Sequence, residues 1–195
     1  MYAFYPQHIF TLLIQSIKQG EILKINFRQM DFNDLNAVLT IDKLSFSNPW
    51  PINAFQYELE QNNNARLWIG ELHSNLDYKI IAMAVIWIII DEAHIGTFAI
   101  HPDFQKKGIG QKFLAFIFSK LIPENILKVF LEVRQSNTQA IKLYRKFGFI
   151  IDGERKNYYH DNGETAVLMS APIKNADFYE NFLEENLIRR ELYDE

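Results

Sequence analysis

Hydrophobic and polar residues alternate along several stretches of the chain, and this period of two predicts β-strands. The first stretch, ILKINFRQM, lies in a predicted strand over about 21–30. Three more stretches, ARLWIGEL, YKIIAMAVIWIII and EAHIGTFAI, are joined by the short links SNLD and DE. Links of this length are too short for a crossover between parallel strands. The three strands should therefore pair antiparallel, one after another.

Apolar residues at helical spacing predict four helices between and after these strands. The first, DFNDLNAVLTIDKLSF, can be capped by Asp31, Asn33 or Asp34, and the prolines of SNPWP should end it. The second is predicted over 52–60 and the third over GIGQKFLAFIFSKLI. The fourth, SNTQAIKLYRKF, should begin with a capping box between Ser136 and Gln139 and end at Gly148.

The remaining patterns complete a mixed α/β chain of the α+β type, with a mostly antiparallel sheet flanked by helices. LKVFLEV is a strand between the last two helices, and GFIIDGERK and ETAVLMSAP form strands on either side of the turn YHDNGE. The apolar stretch IFTLLIQSI predicts a helix in an N-terminal extension over 1–20. The main domain should span 21–173, followed by a charged tail with helical tendency over 174–195.

Length and composition limit the possible functions. The chain has 195 residues, 48% of them hydrophobic, which suits one globular domain. Its net charge of -4 argues against nonspecific nucleic-acid binding. The absence of cysteine excludes disulfides and suits the cytoplasm, and the scattered histidines predict no metal site. The longest apolar run, 80–90, is too short to span a membrane, and no basic residue precedes IFTLLIQSI as in a signal peptide.

The stretch HPDFQKKGIGQKF joins a strand to the third helix and combines two glycines with three lysines. N–H groups in the first turn of a helix and nearby positive charge attract an anion, and Gly108 and Gly110 would let a phosphate reach the backbone. The spacing fits neither a P-loop nor a dinucleotide-binding fingerprint. The alternative is a glycine-rich turn whose lysines are only solvated.

The pattern Gln105-x-x-Gly108-x-Gly110, after a strand and at the start of a helix, resembles the acetyl-CoA signature of the GNAT N-acetyltransferases. The likeness extends over about 25–172. It implies a twisted sheet splayed between two central strands, ending near Ile100 and Val133, with acetyl-CoA bound at the splay. The absence of cysteine and of a recognisable serine–histidine arrangement predicts direct attack by the amine, without an acyl-enzyme. By this resemblance the coenzyme pyrophosphate and pantetheine arm would contact Phe98, Ala99, Ile100, Gln105, Lys106, Lys107, Gly108, Ile109, Gly110 and Gln111.

Within that family, three stretches resemble the bacterial enzymes that acetylate the N-terminal alanine of a ribosomal protein. They are LSFSNPWPINAF, LEVRQSNTQAIKLYRKFGF and RKNYYHDNGETAVLM. The resemblance implies that Glu132 is the general base, Asn137 a coenzyme contact and Tyr144 the general acid. Strand alternation independently places Glu132 on the face opposite Val133, where it can face a cleft. Taken singly, Glu132 could also be a surface acid, Asn137 a residue that suits a helix start, and Tyr144 an aromatic residue of the core.

The expected acceptor is the α-amine at the N-terminus of a protein. In the similar enzymes that protein is a ribosomal protein. An α-amino group has an ordinary pKa of about 7.7–8.0, against about 10.4 for lysine, so a carboxylate deprotonates it more easily. Trp50, Tyr158 and Tyr159 could line a groove for the acceptor peptide or merely cover the sheet. Two alternatives stay open: an enzyme acting on a polyamine or aminoglycoside, and a non-catalytic module that binds acyl-CoA.

Overall fold

The computed structural model describes residues 10–15, 22–74, 77–180 and 183. Within these residues the chain forms one eight-stranded sheet with four α-helices packed on it. The strands are β1 (Phe10–Gln15), β2 (Ile22–Gln29), β3 (Ala65–His73), β4 (Tyr78–Ile89), β5 (Glu92–Ile100), β6 (Lys128–Arg134), β7 (Ile150–Tyr159) and β8 (Glu164–Pro172). The helices are α1 (Leu35–Ser45), α2 (Ile52–Glu60), α3 (Ile109–Leu121) and α4 (Thr138–Lys146).

The strands lie in the order β1-β2-β3-β4-β5-β6-β8-β7, and among them only β5 and β6 run parallel. Their pairing extends from Glu92 opposite Lys128 to Ile95 opposite Leu131 and then stops. Beyond that point each strand continues without the other as a partner. The predictions of an antiparallel run from β3 to β5 and of a splay near Ile100 and Val133 are both confirmed.

Helices cover both faces of the sheet, and each face has its own hydrophobic core. Helices α3 and α4 cover a core that contains Phe113, Phe116 and Phe147. Helices α1 and α2 cover a second core, around Val38 and Phe55 on the opposite face. Strand β5 contributes to both, because Ile100 belongs to the first core and its neighbour Ala99 to the second.

The N-terminal stretch is a strand, so the predicted helix over IFTLLIQSI is wrong where the structure describes it. Residues Phe10–Gln15 pair antiparallel with β2, from Phe10 opposite Phe27 to Gln15 opposite Ile22. A short apolar run does not distinguish helix from strand by its period. The backbone of β2 would otherwise have an open edge, and pairing with β1 satisfies those N–H and C=O groups.

The start of α4 also differs from its prediction. Asn137, and not Ser136, caps the helix, because Asn137 Oδ1 accepts a hydrogen bond from the N–H of Ala140 at 3.1 Å. The backbone N–H of Ser136 instead donates to Glu164 in β8. That cross-strand contact fixes Ser136 outside the helix, so the predicted capping box with Gln139 does not form. Gly148 does end the helix, with the left-handed φ of 87° that favours glycine.

The first described part of the tail packs onto the domain. Residues 176–180 are helical, and Tyr179 is fully buried with its ring 5.4 Å from that of Phe118 in α3. Its hydroxyl accepts a hydrogen bond from the N–H of Lys174 at 2.9 Å. Leu183 is also buried. The helical tendency predicted for the tail is therefore confirmed over these residues, and the rest lies outside the described part of the chain.

Candidate active site

A cleft of about 2220 Å³ opens where β5 and β6 separate. Residues from both faces of the sheet line it, including Leu143 and Tyr144 of α4 and Trp50 and Trp87 on the side of α1 and α2. The splay therefore connects the two helical layers. A long substrate can lie on one side of the sheet and meet a second substrate that approaches from the other.

The loop before α3 has the backbone shape of an anion site. Lys106 and Gly108 both take left-handed φ angles, 60° and 78°, so successive N–H groups turn toward one side. The first turn of α3 follows, where the N–H of Gln111 donates to the carbonyl of Gly108 at 3.1 Å and the N–H groups of Ile109 and Gly110 precede the helical hydrogen-bond pattern. A β-carbon on Gly110 would lie 3.6 Å from both Ile100 and Leu143, so the bare glycine leaves open space between these side chains.

The structure brings most of the predicted coenzyme residues to this cleft. Phe98, Ala99, Ile100, Gln105, Lys106, Gly108, Gly110, Gln111 and Asn137 all line it. Two do not: Ile109 is buried in the core, and the Lys107 ammonium lies over the ring of Phe104, 5.3 Å from its centroid. Gln105 also has a structural role, since its side-chain amide donates to the carbonyl of Ile100 at 3.0 Å.

Glu132 lies in the cleft and is paired with two side chains of β7. Its Oε1 is 2.5 Å from Nη1 of Arg155. The hydroxyl of Tyr158 hydrogen-bonds to the same carboxylate, and this bond, followed by burial, raises the pKa of Tyr158. Glu132 is on the face opposite Val129, Leu131 and Val133, as strand alternation predicts.

Tyr144 lines the cleft from α4, on the other side of the sheet from α1 and α2. Its side chain is buried, and its ring centroid lies 5.5 Å from that of Phe149. Burial raises its pKa well above the ordinary value of about 10. The hydroxyl is therefore protonated throughout the physiological pH range, as a general acid must be before it reacts, although the same burial makes its proton harder to release.

Trp50 belongs to a group of aromatic side chains on the α1 and α2 side of the cleft. Its ring is stacked on Trp87, with centroids 5.9 Å apart, and Trp87 Nε1 donates to Glu58 at 3.0 Å. Trp87 in turn covers Gly96 so closely that a β-carbon there would be 2.8 Å from the ring. The backbone N–H of Trp50 donates to Oδ2 of the buried Asp42 at 2.6 Å.

Arg134 connects the loop after α1 to the turn between β7 and β8. Its Nη2 donates to Ser47 at 3.0 Å and to Asp161 at 2.8 Å, while Nη1 donates to Glu164 at 3.1 Å. Its guanidinium is stacked on the ring of Tyr159 at 3.8 Å. Hydrogen bonds from Ser136 and then Arg134 lower the pKa of Glu164 to about 2. Two segments distant in sequence are thus joined at the edge of the cleft, beside Tyr159.

Four residues important to this geometry were missed by the sequence analysis: Asp42, Trp87, Arg134 and Arg155. One signal was present, because a glycine inside a strand, here Gly96, often marks the close approach of another group. The ion pairs depend on strand register, which the sequence pattern does not give. Within the described residues no group of three His, Asp or Glu side chains is arranged to hold a metal ion. Among the helices described, none has the length and hydropathy needed to cross a membrane.

Comparison with known proteins identifies the family. Residues 35–149 match the Acetyltransferase (GNAT) family. The [Ribosomal protein bS18]-alanine N-acetyltransferase of Escherichia coli (strain K12) is 32% identical over 74% of this chain and 95% of its own length. A Bacillus subtilis (strain 168) protein that provisionally carries the same name is 35% identical over 77% of this chain and 97% of its own.

A solved structure agrees with these relatives. The crystal structure of the ribosomal-protein-S18-alanine N-acetyltransferase from Escherichia coli superposes with a TM-score of 0.68 at 30% identity. The match covers 78% of this chain and 96% of the other. The sequence matches and the splayed sheet therefore agree with the GNAT signature recognised in the glycine loop. The chain belongs to the GNAT family of acetyltransferases.

Proposed function

We propose that the enzyme transfers an acetyl group from acetyl-CoA to the α-amine at the N-terminus of a protein, and that a ribosomal protein is the acceptor. The two named relatives carry that activity in their names, and this chain covers nearly all of their length. Family membership supports acetyl-CoA as co-substrate. The geometry that supports this acceptor is the long cleft beside Trp50, Tyr158 and Tyr159, which suits an extended peptide end.

The coenzyme would lie on the α3 side of the splay. The N–H groups of residues 106–111 would bind its pyrophosphate, and the open edge of β5 over 98–100 would pair with its pantetheine arm. The backbone geometry supports this assignment, because two left-handed residues turn the loop amides outward and Gly110 leaves space beside Ile100. Acetyl-CoA supplies the activated acetyl group as a thioester.

Glu132 would accept a proton from the acceptor ammonium, directly or through a water molecule, which leaves a neutral amine. The amine nitrogen then forms a bond to the acetyl carbonyl carbon, and the carbon–sulfur bond breaks with its electron pair on sulfur. Tyr144 would give its phenolic proton to that sulfur. The amine nitrogen loses its second proton to solvent. Tyr144 then regains a proton from solvent, and Glu132 releases to solvent the proton that it accepted. The acetyl group passes directly from sulfur to nitrogen, without an acyl-enzyme.

One observation carries this proposal: Glu132 and Tyr144, which would be the base and the acid, line the same cleft from opposite faces of the sheet. The test is coenzyme A release with peptides that differ in their first residues, including the N-terminal peptide of bS18, together with spermidine and an aminoglycoside. We expect turnover with a free peptide N-terminus and none when the same peptide is N-terminally blocked. Unchanged turnover of the blocked peptide, with the acetyl group on an internal lysine, would refute the proposal.

A further inference from the structure

We propose that Arg155 is a positioning residue for acetyl transfer: it holds the Glu132 carboxylate in the free enzyme, and the cationic acceptor replaces it there. This inference rests on the proposed function, since it takes Glu132 as the base. It adds that the free enzyme already has a cation in the place that the acceptor ammonium must occupy. Acceptor binding then exchanges one cation for another.

Strand register explains how Arg155 reaches Glu132 across an intervening strand. Arg155 in β7 is directly opposite Ala166 in β8, and Ala166 is opposite Arg134 in β6. The side chain of Arg155 therefore points to the same face as Arg134 and Glu132. Ala166 is small and buried, so the guanidinium can cross over β8 and place Nη1 2.5 Å from Glu132 Oε1.

Two other charged groups in this part of the cleft, Arg134 and Asp42, are bound to groups other than Glu132. Arg134, two residues along β6, is bound to Asp161 and Glu164. Tyr158 hydrogen-bonds to Glu132, and Tyr159 is stacked against Arg134. From the α1 side, the carboxylate of Asp42 accepts the backbone N–H of Trp50. Among the ion pairs of the described residues, Arg155 is thus the cation paired with Glu132.

The exposure of the two side chains makes the exchange easy. Arg155 keeps 53% of its side chain exposed, so it can move into water, whereas Glu132 keeps 30% and stays in the cleft. A half-exposed ion pair contributes little free energy, because water and salt screen it. An arriving ammonium can therefore displace the guanidinium without a large penalty, and any amine acceptor arrives as a cation at neutral pH.

The kinetic test uses Arg155→Gln, with Arg145→Gln on the exposed side of α4 as the matched loss of charge. We expect KM for the acceptor to fall about two- to fivefold in Arg155→Gln, because its competitor is gone and a half-exposed pair is worth that much. We expect kcat to stay within about twofold of wild type, because in the complex that reacts the acceptor has already displaced Arg155 from the carboxylate. KM for the acceptor should stay within about twofold of wild type in Arg155→Lys and in Arg145→Gln. In an enzyme that already carries Glu132→Gln, adding Arg155→Gln should not lower this KM, because the paired carboxylate is absent.

An unchanged or higher KM in Arg155→Gln, or an equal effect in Arg145→Gln, would overturn the proposal. Nitrogen-15 NMR of arginine side chains tests it without turnover. The guanidinium of Arg155 should rotate slowly in the free enzyme, and fast both in Glu132→Gln and in wild type saturated with coenzyme A and acceptor. Identical Arg155 signals in wild type and Glu132→Gln would refute the pairing. A wild-type enzyme that acetylates spermidine and not peptides would refute the proposed acceptor but leave this test intact.

Discussion

Tyr144 is the residue whose burial bears most directly on turnover. The residue lines the cleft from α4, and burial raises the pKa of its hydroxyl. Tyr144→Phe keeps the ring and its contact with Phe149 but removes the proton. If the hydroxyl protonates the leaving sulfur, kcat should fall about 10²- to 10⁴-fold while the thermal midpoint and acetyl-CoA affinity barely change.

A second buried tyrosine gives the matched control. Tyr179 is fully buried outside the cleft, and its hydroxyl accepts a hydrogen bond from Lys174. Tyr179→Phe should lower the free energy of unfolding by about 1 kcal/mol and leave kcat unchanged. A Tyr144→Phe enzyme that turns over at the wild-type rate, with chemistry rate-limiting, would show that Tyr144 is only a core aromatic.

Asp42 gives a prediction about stability and pH. Burial raises its pKa in the folded protein, while the unfolded chain ionises near the ordinary value of about 3.9. The stability that this group contributes is therefore complete below that pH and is lost as pH rises through the raised value. Asparagine does not ionise and can still accept the N–H of Trp50. The unfolding free energy of Asp42→Asn relative to wild type should rise between pH 3 and 7, by about 1.4 kcal/mol for each unit of raised pKa.

Urea denaturation across that pH range measures the difference. Asp91→Asn is the control, because the Asp91 side chain is exposed at the turn between β4 and β5. Its unfolding free energy relative to wild type should change far less with pH. If the unfolding free energy of Asp42→Asn relative to wild type does not change from pH 3 to 7, burial does not disfavour the ionised carboxylate of Asp42.

At the scale of elements, the close contact of β5 with Trp87 fixes the α1 and α2 side of the cleft, where we propose that the acceptor binds. A β-carbon at Gly96 would lie 2.8 Å from Trp87, whose ring is held by Glu58 and stacked on Trp50. Gly96→Ala should therefore displace both indoles and raise KM for a peptide acceptor about tenfold, with KM for acetyl-CoA unchanged. Steady-state kinetics with each substrate varied in turn measures this.

Gly153→Ala is the matched substitution in another strand, β7. A β-carbon there would lie 3.8 Å from Leu168, which is an ordinary van der Waals contact. Both KM values of this variant should stay near wild type. If Gly96→Ala also leaves the acceptor KM unchanged, the paired tryptophans are not part of the acceptor site.

The elements also show what the sequence could and could not predict. Regular apolar spacing located α2 at Ile52–Glu60 and the strands from β3 to β5, because each buries a face whose period the pattern reveals. The glycine loop and Glu132 could be found because each sits at a fixed place relative to a strand or helix. Arg155 could not, since its contact with Glu132 depends on the register of β7 and β8. Phe10–Gln15 form a strand because they pair with the edge of β2, and a local sequence pattern does not reveal such a distant pairing partner either.

For the molecule as a whole, coenzyme binding should stabilise the fold at the splay. A ligand that binds only the folded state at 100 times its Kd adds about 2.7 kcal/mol to the free energy of unfolding. We therefore expect coenzyme A to raise the thermal midpoint and to slow hydrogen exchange in β5 beyond Ile95, where pairing with β6 has ended. Hydrogen-exchange mass spectrometry measures this, with β2 and β3 as the internal reference. Saturating coenzyme without protection in β5 would place its binding site elsewhere.

The short parallel seam between β5 and β6 also bears on the order of folding. On one side of it β3, β4 and β5 are neighbours in sequence, and on the other side β7 and β8 form a hairpin. These local contacts close small loops and should form early, whereas the seam joins 92–95 to 128–131 across all of α3 and should form late. Pulse-labelled refolding should then protect β4 before β6, and simultaneous protection would contradict this order. The cleft would be completed in the same late step, so a chain that has just left the ribosome could not bind coenzyme until its last strands had docked.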